Sequence, residues 1–305
     1  MLSYKQNNEP LIFIVLIATI IGLSALIVWN KPTPISTNYS TEKVIRYGFS
    51  IENRSSELVE STTFKVFAPV AQTPYQKLES VTANRDFIIE KDKLGNQFLV
   101  FELANIPPYG RQQISVTAKL SLTDTPNEHE SWNQQQFLEP ETYIESNDPD
   151  ITKKATAIAT NNQKGSVSKK LHKWVAQTIK PINYVAQDQG AKYALINKQG
   201  DCTEYAYTVT ALARSQSILA VPVAGFMLQA QSGVLTASDY HNWAFLKDED
   251  EGEGKWILSD PQNNVFNEKG TQYIAFRLLG NASDLQLSTA QRFFTHDRRL
   301  KVTMY

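Results

Sequence analysis

The 305-residue chain carries one cysteine, Cys202, with His241 about forty residues downstream and Asp260 about twenty beyond that. A thiol attacks well only once it has ionised, and two devices ionise it: the positive end of a helix and an adjacent imidazole. Cys202 follows Gly200-Asp201 where a helical pattern begins, with Tyr205, Val209 and Leu212 on one face. Gly200 would let the chain turn tightly into that helix and keep the approach to sulfur open. First-turn N–H groups have no intrahelical acceptor, so the backbone N–H of Cys202 could face a developing oxyanion. Taken singly, each residue has a plainer reading: a small buried hydrophobe for Cys202, a hydrogen-bonded strand end for His241, a turn-initiating Asp-Pro for Asp260. Taken together they are a nucleophile, a base and a carboxylate that fixes the imidazole tautomer, a set that performs acyl transfer through a thioester.

Such a set needs a helix packed across a sheet. Trp243 to Lys247 and Trp256 to Ser259 read as neighbouring antiparallel strands, joined by the polar hairpin loop Asp248 to Gly254. An adjacent pair of this kind can bring an aspartate beside a histidine. Upstream, Asn147-Asp148-Pro149 is helix-start chemistry. A second helix begins near Ser166, with Val167, Leu171, Trp174, Val175 and Thr178 at helical spacing, and Pro181 stops it. This Trp174 stripe reads as core. A short helix over Ala191 to Ile196 leads to Lys198-Gln199-Gly200, and the Cys202 helix runs to about Ser215. Val221 to Leu228 is strand-like; Ile274 to Leu279 and Leu300 to Met304 are weaker candidates. Helices followed by strands, without strict alternation, predict an α+β layer with an antiparallel sheet.

Residues 42–123 have a different character. Ile114, Val116, Ala118, Leu120 and Leu122 alternate with Ser115, Thr117, Lys119 and Ser121, the period of a strand with one buried face. Val44 to Ile51, Thr62 to Val70 and Gln97 to Leu103 add strands, and Asn53-Arg54-Ser55, Lys93 to Asn96 and Pro107 to Gly110 supply turns. The spacing predicts an all-β immunoglobulin-like sandwich of about 80 residues, a spacer or partner-docking module with no catalytic set of its own.

Leu11 to Trp29 is an uncharged apolar run, long enough to cross a hydrocarbon core of about 30 Å as a helix. Trp29 and Lys31 close it as interfacial anchors. A cleaved signal peptide competes, but its apolar core is about 7–15 residues, and Ser24-Ala25 followed by Leu26-Ile27-Val28 is a poor cleavage site. The expected organisation is a tail over 1–10, a transmembrane helix over 11–29, an extended Pro-rich linker over 30–41, the sandwich over 42–123 and a catalytic domain over 124–305. The short tail is expected inside and the body outside, as for a signal anchor.

With 42% hydrophobic residues, 20% charged residues and a formal net charge of −1, the chain can bury a real core and has no basic face for nucleic acid. A lone cysteine excludes an internal disulfide and a cysteine-rich metal site. Asp248 to Glu253 lacks the spacing of a calcium loop and reads as a solvated hairpin tip. His129 falls in a polar linker, His172 between lysines on a helix surface and His296 in a charged patch; Asn38, Asn53 and Asn281 open Asn-x-Ser/Thr triplets of the kind chance supplies. No cofactor or metal site is predicted.

Gly200-Asp201-Cys202-Thr203-Glu204-Tyr205-Ala206, with Leu212-Ala213-Arg214 on the same helix, closely resembles the cysteine motif of transglutaminase-like domains. Val221 to Phe226 is similar to the strand that follows there. His241-Asn242-Trp243 resembles the histidine motif, and Trp256 with Asp260-Pro261 the aspartate motif, all in the family's order. Glu139-Pro140, Tyr143 to Ser146 and Asp148-Pro149 resemble the lead-in of bacterial members, so the resemblance covers about 137–280. It implies a papain-like α+β domain, with Cys202 as nucleophile, His241 as general base and acid and Asp260 orienting it. It further implies a peptidase or amidase acting on a protein or peptide substrate, here tethered to a bacterial inner membrane with its body on the periplasmic side. A glutamine acyltransferase that cross-links amines, and a non-catalytic tethered binding module, are the alternatives. Gln199, Tyr184 and Gln189 are all candidates for a side-chain oxyanion donor, and none is singled out.

Overall fold

Alternating β-branched and aromatic residues make residues 41–122 strands: β1 (Thr41–Asn53), β2 (Val59–Ala68), β3 (Gln72–Thr73), β4 (Gln76–Ala83), β5 (Ile88–Lys91), β6 (Gln97–Ile106) and β7 (Arg111–Leu122). The computed structural model describes residues 38–128, 135–248, 254–280 and 288–305. The Leu11–Trp29 run, His129, the tip residues 249–253 and Asn281 lie outside them. Strand β1 pairs antiparallel with β7 along nearly its whole length, and β7 with β4. A second sheet is built on β2, β6 and β5. The inner faces meet in one core: Ile45, Tyr47, Phe49 and Ile51 from β1 and Ile114 to Leu122 in alternation from β7 pack with Phe64, Val66, Leu99, Phe101 and Leu103. The free side of β1 is taken by two later segments, as β11 (Ser232–Val234) runs parallel to Val44–Arg46 and β17 (Leu300–Met304) antiparallel to Phe49–Asn53. Another late segment, β16 (Phe293–Thr295), adds to β2. Asn53 is fully buried, and its side-chain nitrogen donates to the carbonyls of Glu57 and Ile106, so its triplet is not a surface site.

The second half places helices on an antiparallel sheet. Asp148 caps α1 (Pro149–Ala159), accepting from the Asp150 N–H at 2.9 Å, and Ser166 caps α2 (Val167–Thr178). The short β8 (Lys180–Pro181), α3 (Ala191–Asn197) and β9 (Gln199–Gly200) lead into α4 (Cys202–Arg214). The sheet that receives them comprises β10 (Ala220–Met227), β12 (Tyr240–Asp248), β13 (Lys255–Asp260), β14 (Val265–Phe266) and β15 (Tyr273–Leu278), in the order β14-β13-β12-β10-β15. Helix α4 was expected to bury one face. Instead every residue from Thr203 to Arg214 is buried, because α1, α2 and α3 cover the sides that the sheet does not. Ala206, Ala211 and Ala213 let neighbours approach on all sides, as a central helix requires. Thr210 satisfies its hydroxyl on the Ala206 carbonyl, 2.7 Å away.

Three local readings change. His172 is buried at 3% exposure and not on the surface, with its Nδ1 3.0 Å from Ser259 Oγ. Asp248 is buried too, accepting from the Ser166 hydroxyl at the start of α2, so it is not part of a solvated tip. Gly200 needs no left-handed turn: a Cβ there would lie 2.3 Å from Glu204 Cβ, so the glycine makes room for a side chain folding back from the helix.

Candidate active site

The start of α4 is built by carboxylates. Asp201 caps the helix, accepting from the Thr203 N–H at 2.8 Å, and Glu204 reaches back to accept from the Asp201 N–H at 3.0 Å, a reciprocal capping box. The same two side chains hold the preceding loop. Asp201 accepts from the Val185 N–H and Glu204 from the Gln189 N–H, each at 2.9 Å. The Ile182 N–H donates to the Gly200 carbonyl, so residues 180–182 run directly beside the approach to Cys202. Burial pushes the Glu204 carboxyl up to about 7, with the nearby Asp201 charge adding to the shift against the two N–H donors. Cys202 itself is half-buried, and among the described residues no acceptor engages its backbone N–H. Of the three side-chain candidates for an oxyanion donor, Gln199 Nε2 bonds the Tyr193 hydroxyl and Gln189 Nε2 the Gln187 carbonyl, while Tyr184 is 66% exposed on the loop.

Antiparallel pairing of β12 with β13, in the register Ala244 to Ser259 through Asp248 to Lys255, brings His241 and Asp260 together at one end of the sheet. His241 Nε2 lies 2.8 Å from Asp260 Oδ2. An ionised carboxylate only accepts, so Nε2 carries the proton and Nδ1 is left for a second partner. Burial alone would lower the imidazole's affinity for a proton. The hydrogen bond with Asp260 and the neighbouring Cys202 side chain override it, raising His241 to about 10. Asp260 is wholly buried, which pushes its carboxyl up. The donors around it, His241 first and then Asn263 and Tyr273, hold it below the usual carboxylate range. Asn263 Nδ2 and the Tyr273 hydroxyl donate to Oδ2 at 2.7 and 2.8 Å, and the Asn263 N–H donates to Oδ1 at 3.2 Å. His172, on the neighbouring helix, is driven down to about 4 by its burial and is neutral at neutral pH. His241 is therefore the imidazole that carries charge beside the thiol.

Of the sequence-predicted residues, the structure brings His241 and Asp260 into contact and sets Cys202 at the capped start of α4. Asn263 and Tyr273 were not singled out. The Asp-Pro-x-Asn spacing of residues 260–263, a turn closing on its first carboxylate, was the available signal for Asn263. Tyr273 stands one residue ahead of a weak strand candidate and had none.

The sequence profile of the transglutaminase-like superfamily matches residues 149–261. These residues form a transglutaminase-like superfamily domain, and the chain's remaining described strands stand around it. No curated protein matches the chain. Among solved structures, a candidate cysteine protease from Cytophaga hutchinsonii shares the fold, with a TM-score of 0.61 at 16% identity over 87% of this chain and 88% of that one. The periplasmic domain of TgpA from Pseudomonas aeruginosa aligns with a TM-score of 0.37 at 15% identity, over 74% and 89% of the two chains.

Proposed function

We propose that this protein is a membrane-anchored cysteine peptidase or amidase with Cys202 as nucleophile, His241 as base and Asp260 as the group that orients it. The observation that carries the reading is the buried His241–Asp260 pair, 2.8 Å apart, at the end of the sheet that faces the capped start of α4 where Cys202 stands. In the reaction the proton of the Cys202 thiol rests on His241 before the sulfur bonds to the amide carbonyl carbon. The oxyanion so formed is met by the free N–H of Cys202 at the start of α4. As the C–N bond breaks, the imidazolium returns that proton to the leaving amine, leaving a thioester. Water then attacks with His241 as base, the C–S bond breaks, and the acid departs as the thiol is restored. Asp260 stays ionised throughout, because three donors converge on its Oδ2.

The rest of the reading follows from the sequence. Leu11 to Trp29 serves as an uncleaved anchor in a bacterial inner membrane, with the body on the periplasmic side and the N-terminal sheets acting as an immunoglobulin-like module beside the catalytic domain. Iodoacetamide is expected to alkylate Cys202 faster than a model thiol at neutral pH, and His241→Ala to abolish that advantage. Equal rates in both proteins would refute an activated thiol. Incubation with glutamine-containing peptides and a fluorescent amine separates the outcomes: release of acid without amine incorporation is hydrolysis, and incorporation would reassign the enzyme as an acyltransferase.

A further inference from the structure

Residues 288–291 lie beyond the span that matches the superfamily, yet Thr289 touches the immediate neighbours of both Cys202 and His241. Its carbonyl accepts from the Tyr240 hydroxyl at 2.6 Å, and Tyr240 immediately precedes His241. Its hydroxyl oxygen lies 3.4 Å from that of Thr203, which immediately follows Cys202. Asn242, immediately after His241, donates to the same Thr203 hydroxyl at 2.9 Å. The proton of the Thr289 hydroxyl goes to Asp188 Oδ1 at 2.9 Å, which leaves its oxygen to accept from Thr203. The direction of the chain is therefore set: Asn242 amide to Thr203, Thr203 to Thr289, Thr289 to the Asp188 carboxylate. Asp188 belongs to the loop that runs beside Cys202, and the Tyr207 hydroxyl also donates to it, at 3.2 Å. The Arg277 guanidinium holds the strap from behind by donating to the Ser288 carbonyl at 2.9 Å. Thr289 and Thr203 are 3% and 5% exposed, so water offers these bonds little competition.

Among the described residues, the other hydrogen bond that ties the helix bearing Cys202 to the strand bearing His241 is Asn242–Thr203, and the rest of the contact is apolar packing, which tolerates sliding. We propose that Thr289 is a positioning residue that sets the separation and alignment of the Cys202 thiol and the His241 imidazole, and holds the 182–190 loop to the same frame through Asp188. The proposal rests on the assignment of Cys202 and His241 as nucleophile and base. A strap from outside the superfamily core suits this purpose. It can tune the pair without altering the helix or the strand that carry it.

The test is the rate at which iodoacetamide alkylates Cys202 in the full-length chain at neutral pH, read by mass spectrometry, alongside each variant's melting midpoint. Thr289→Val keeps the shape and removes the hydroxyl. Because misplacement of about 1 Å costs a reacting pair about a hundredfold, a partial loss of alignment is expected to slow alkylation about tenfold. Thr289→Ser restores the hydroxyl and is expected to return the rate to within about twofold of wild type. Asp188→Ala, on a half-exposed loop, removes the far end of the chain and is expected to slow the reaction about threefold. If Thr289→Val does not fold, Asp188→Ala and Thr289→Ser carry the test. Wild-type rates in Thr289→Val or in Asp188→Ala, with His241→Ala slow, would overturn the strap and leave the base assignment standing. A serine variant as slow as the valine one would also overturn it, by making the effect one of packing. A His241→Ala protein that reacts like wild type would remove the base assignment and this proposal with it.

Discussion

Replacing Asp260 by Asn removes a charge while keeping shape, and the structure says how large the effect should be. In the native protein His241 is raised to about 10, although burial acts in the opposite direction. Relative to the ordinary value of about 6.5, this is a preference for the imidazolium of about 5 kcal/mol, at about 1.4 kcal/mol per unit. Asp260 and the Cys202 side chain share it, with Asp260 the larger contributor. Removing one partner of a buried charge pair costs about 3 kcal/mol, equivalent to about a hundredfold in the charged pair or in an acylation rate that depends on it. The asparagine can also present N–H where the ring N–H now donates, turning the imidazole towards the wrong tautomer. Cys202 alkylation in Asp260→Asn should therefore fall about a hundredfold near neutral pH and recover only when the solution itself ionises the thiol. The assay is alkylation by iodoacetamide from pH 5 to 9, with intact mass as readout and near-native circular dichroism as a control. An Asp260→Asn protein that is folded and matches the wild-type rate across that range would refute the argument, since the charge would then have no hold on the base.

Tyr273→Phe deletes one of the three donors to Asp260 Oδ2 and leaves the His241 bond intact, so it should cost about 1 kcal/mol and slow turnover only severalfold; a loss as deep as that of Asp260→Asn would show the phenol acting on substrate instead. Glu204 gives a pH signature. Its carboxyl is raised from 4.5 to about 7 in the folded protein, so the protonated form is the better held, and the stability this lends is complete below about pH 4.5 and is lost as pH climbs through about 7. Glu204→Gln cannot ionise, so its urea midpoint should gain on the wild-type midpoint over that window; a constant difference between the two proteins would contradict the sign. At Gly225, opposite His241 in the β10–β12 register, an added Cβ would sit 2.1 Å from the Ile274 carbonyl and 2.7 Å from Trp243 Cη2. Gly225→Ala must part β10 from β15 and should destabilise by about 1–3 kcal/mol or more, seen as a lower melting midpoint; an unchanged midpoint would mean that the strands yield without strain.

Where the determinants are local, the candidate site was legible before any coordinates. Helix-start chemistry at Asp201 and a hairpin joining two apolar runs sufficed to set Cys202 at a helix start and His241 beside Asp260. His172 misled because Lys169, Lys170 and Lys173 flank it. Its place on the same face as Leu171 and Val175, and its partner Ser259, become visible only once α2 lies on the sheet. Strands β11, β16 and β17 are three to five residues long and pair with residues far upstream in the chain, so no local period marks their partners. Thr289 is the extreme case. A threonine in a polar stretch offers nothing to a reader of sequence, and its meaning lies wholly in what three distant segments bring to it.

The N-terminal sheets were expected to be a spacer or docking module, and the chemistry of their boundary bears on how the site is held. Strand β15 is the edge of the sheet that carries His241 and Asp260, and an edge leaves N–H and carbonyl groups without partners. Here two side-chain amides stand in for the missing strand. Gln76 accepts from the Ala275 N–H at 2.9 Å and donates to the Ala275 carbonyl at 3.0 Å, and Asn96 does the same for Leu278 at 2.6 and 2.9 Å. The Val70 N–H adds a further bond to the Ala275 carbonyl, and the Tyr75 hydroxyl accepts from the Leu258 N–H two residues before Asp260. These residues are buried, so Gln76→Ala or Asn96→Ala would leave the backbone groups each amide serves unsatisfied, at about 1–3 kcal/mol apiece. Several such penalties approach the whole stability of an ordinary domain. The strands that carry Asp260 and Tyr273 are therefore held by polar bonds from the N-terminal sheets, and the candidate site depends on a scaffold much larger than the 149–261 span by which it is recognised.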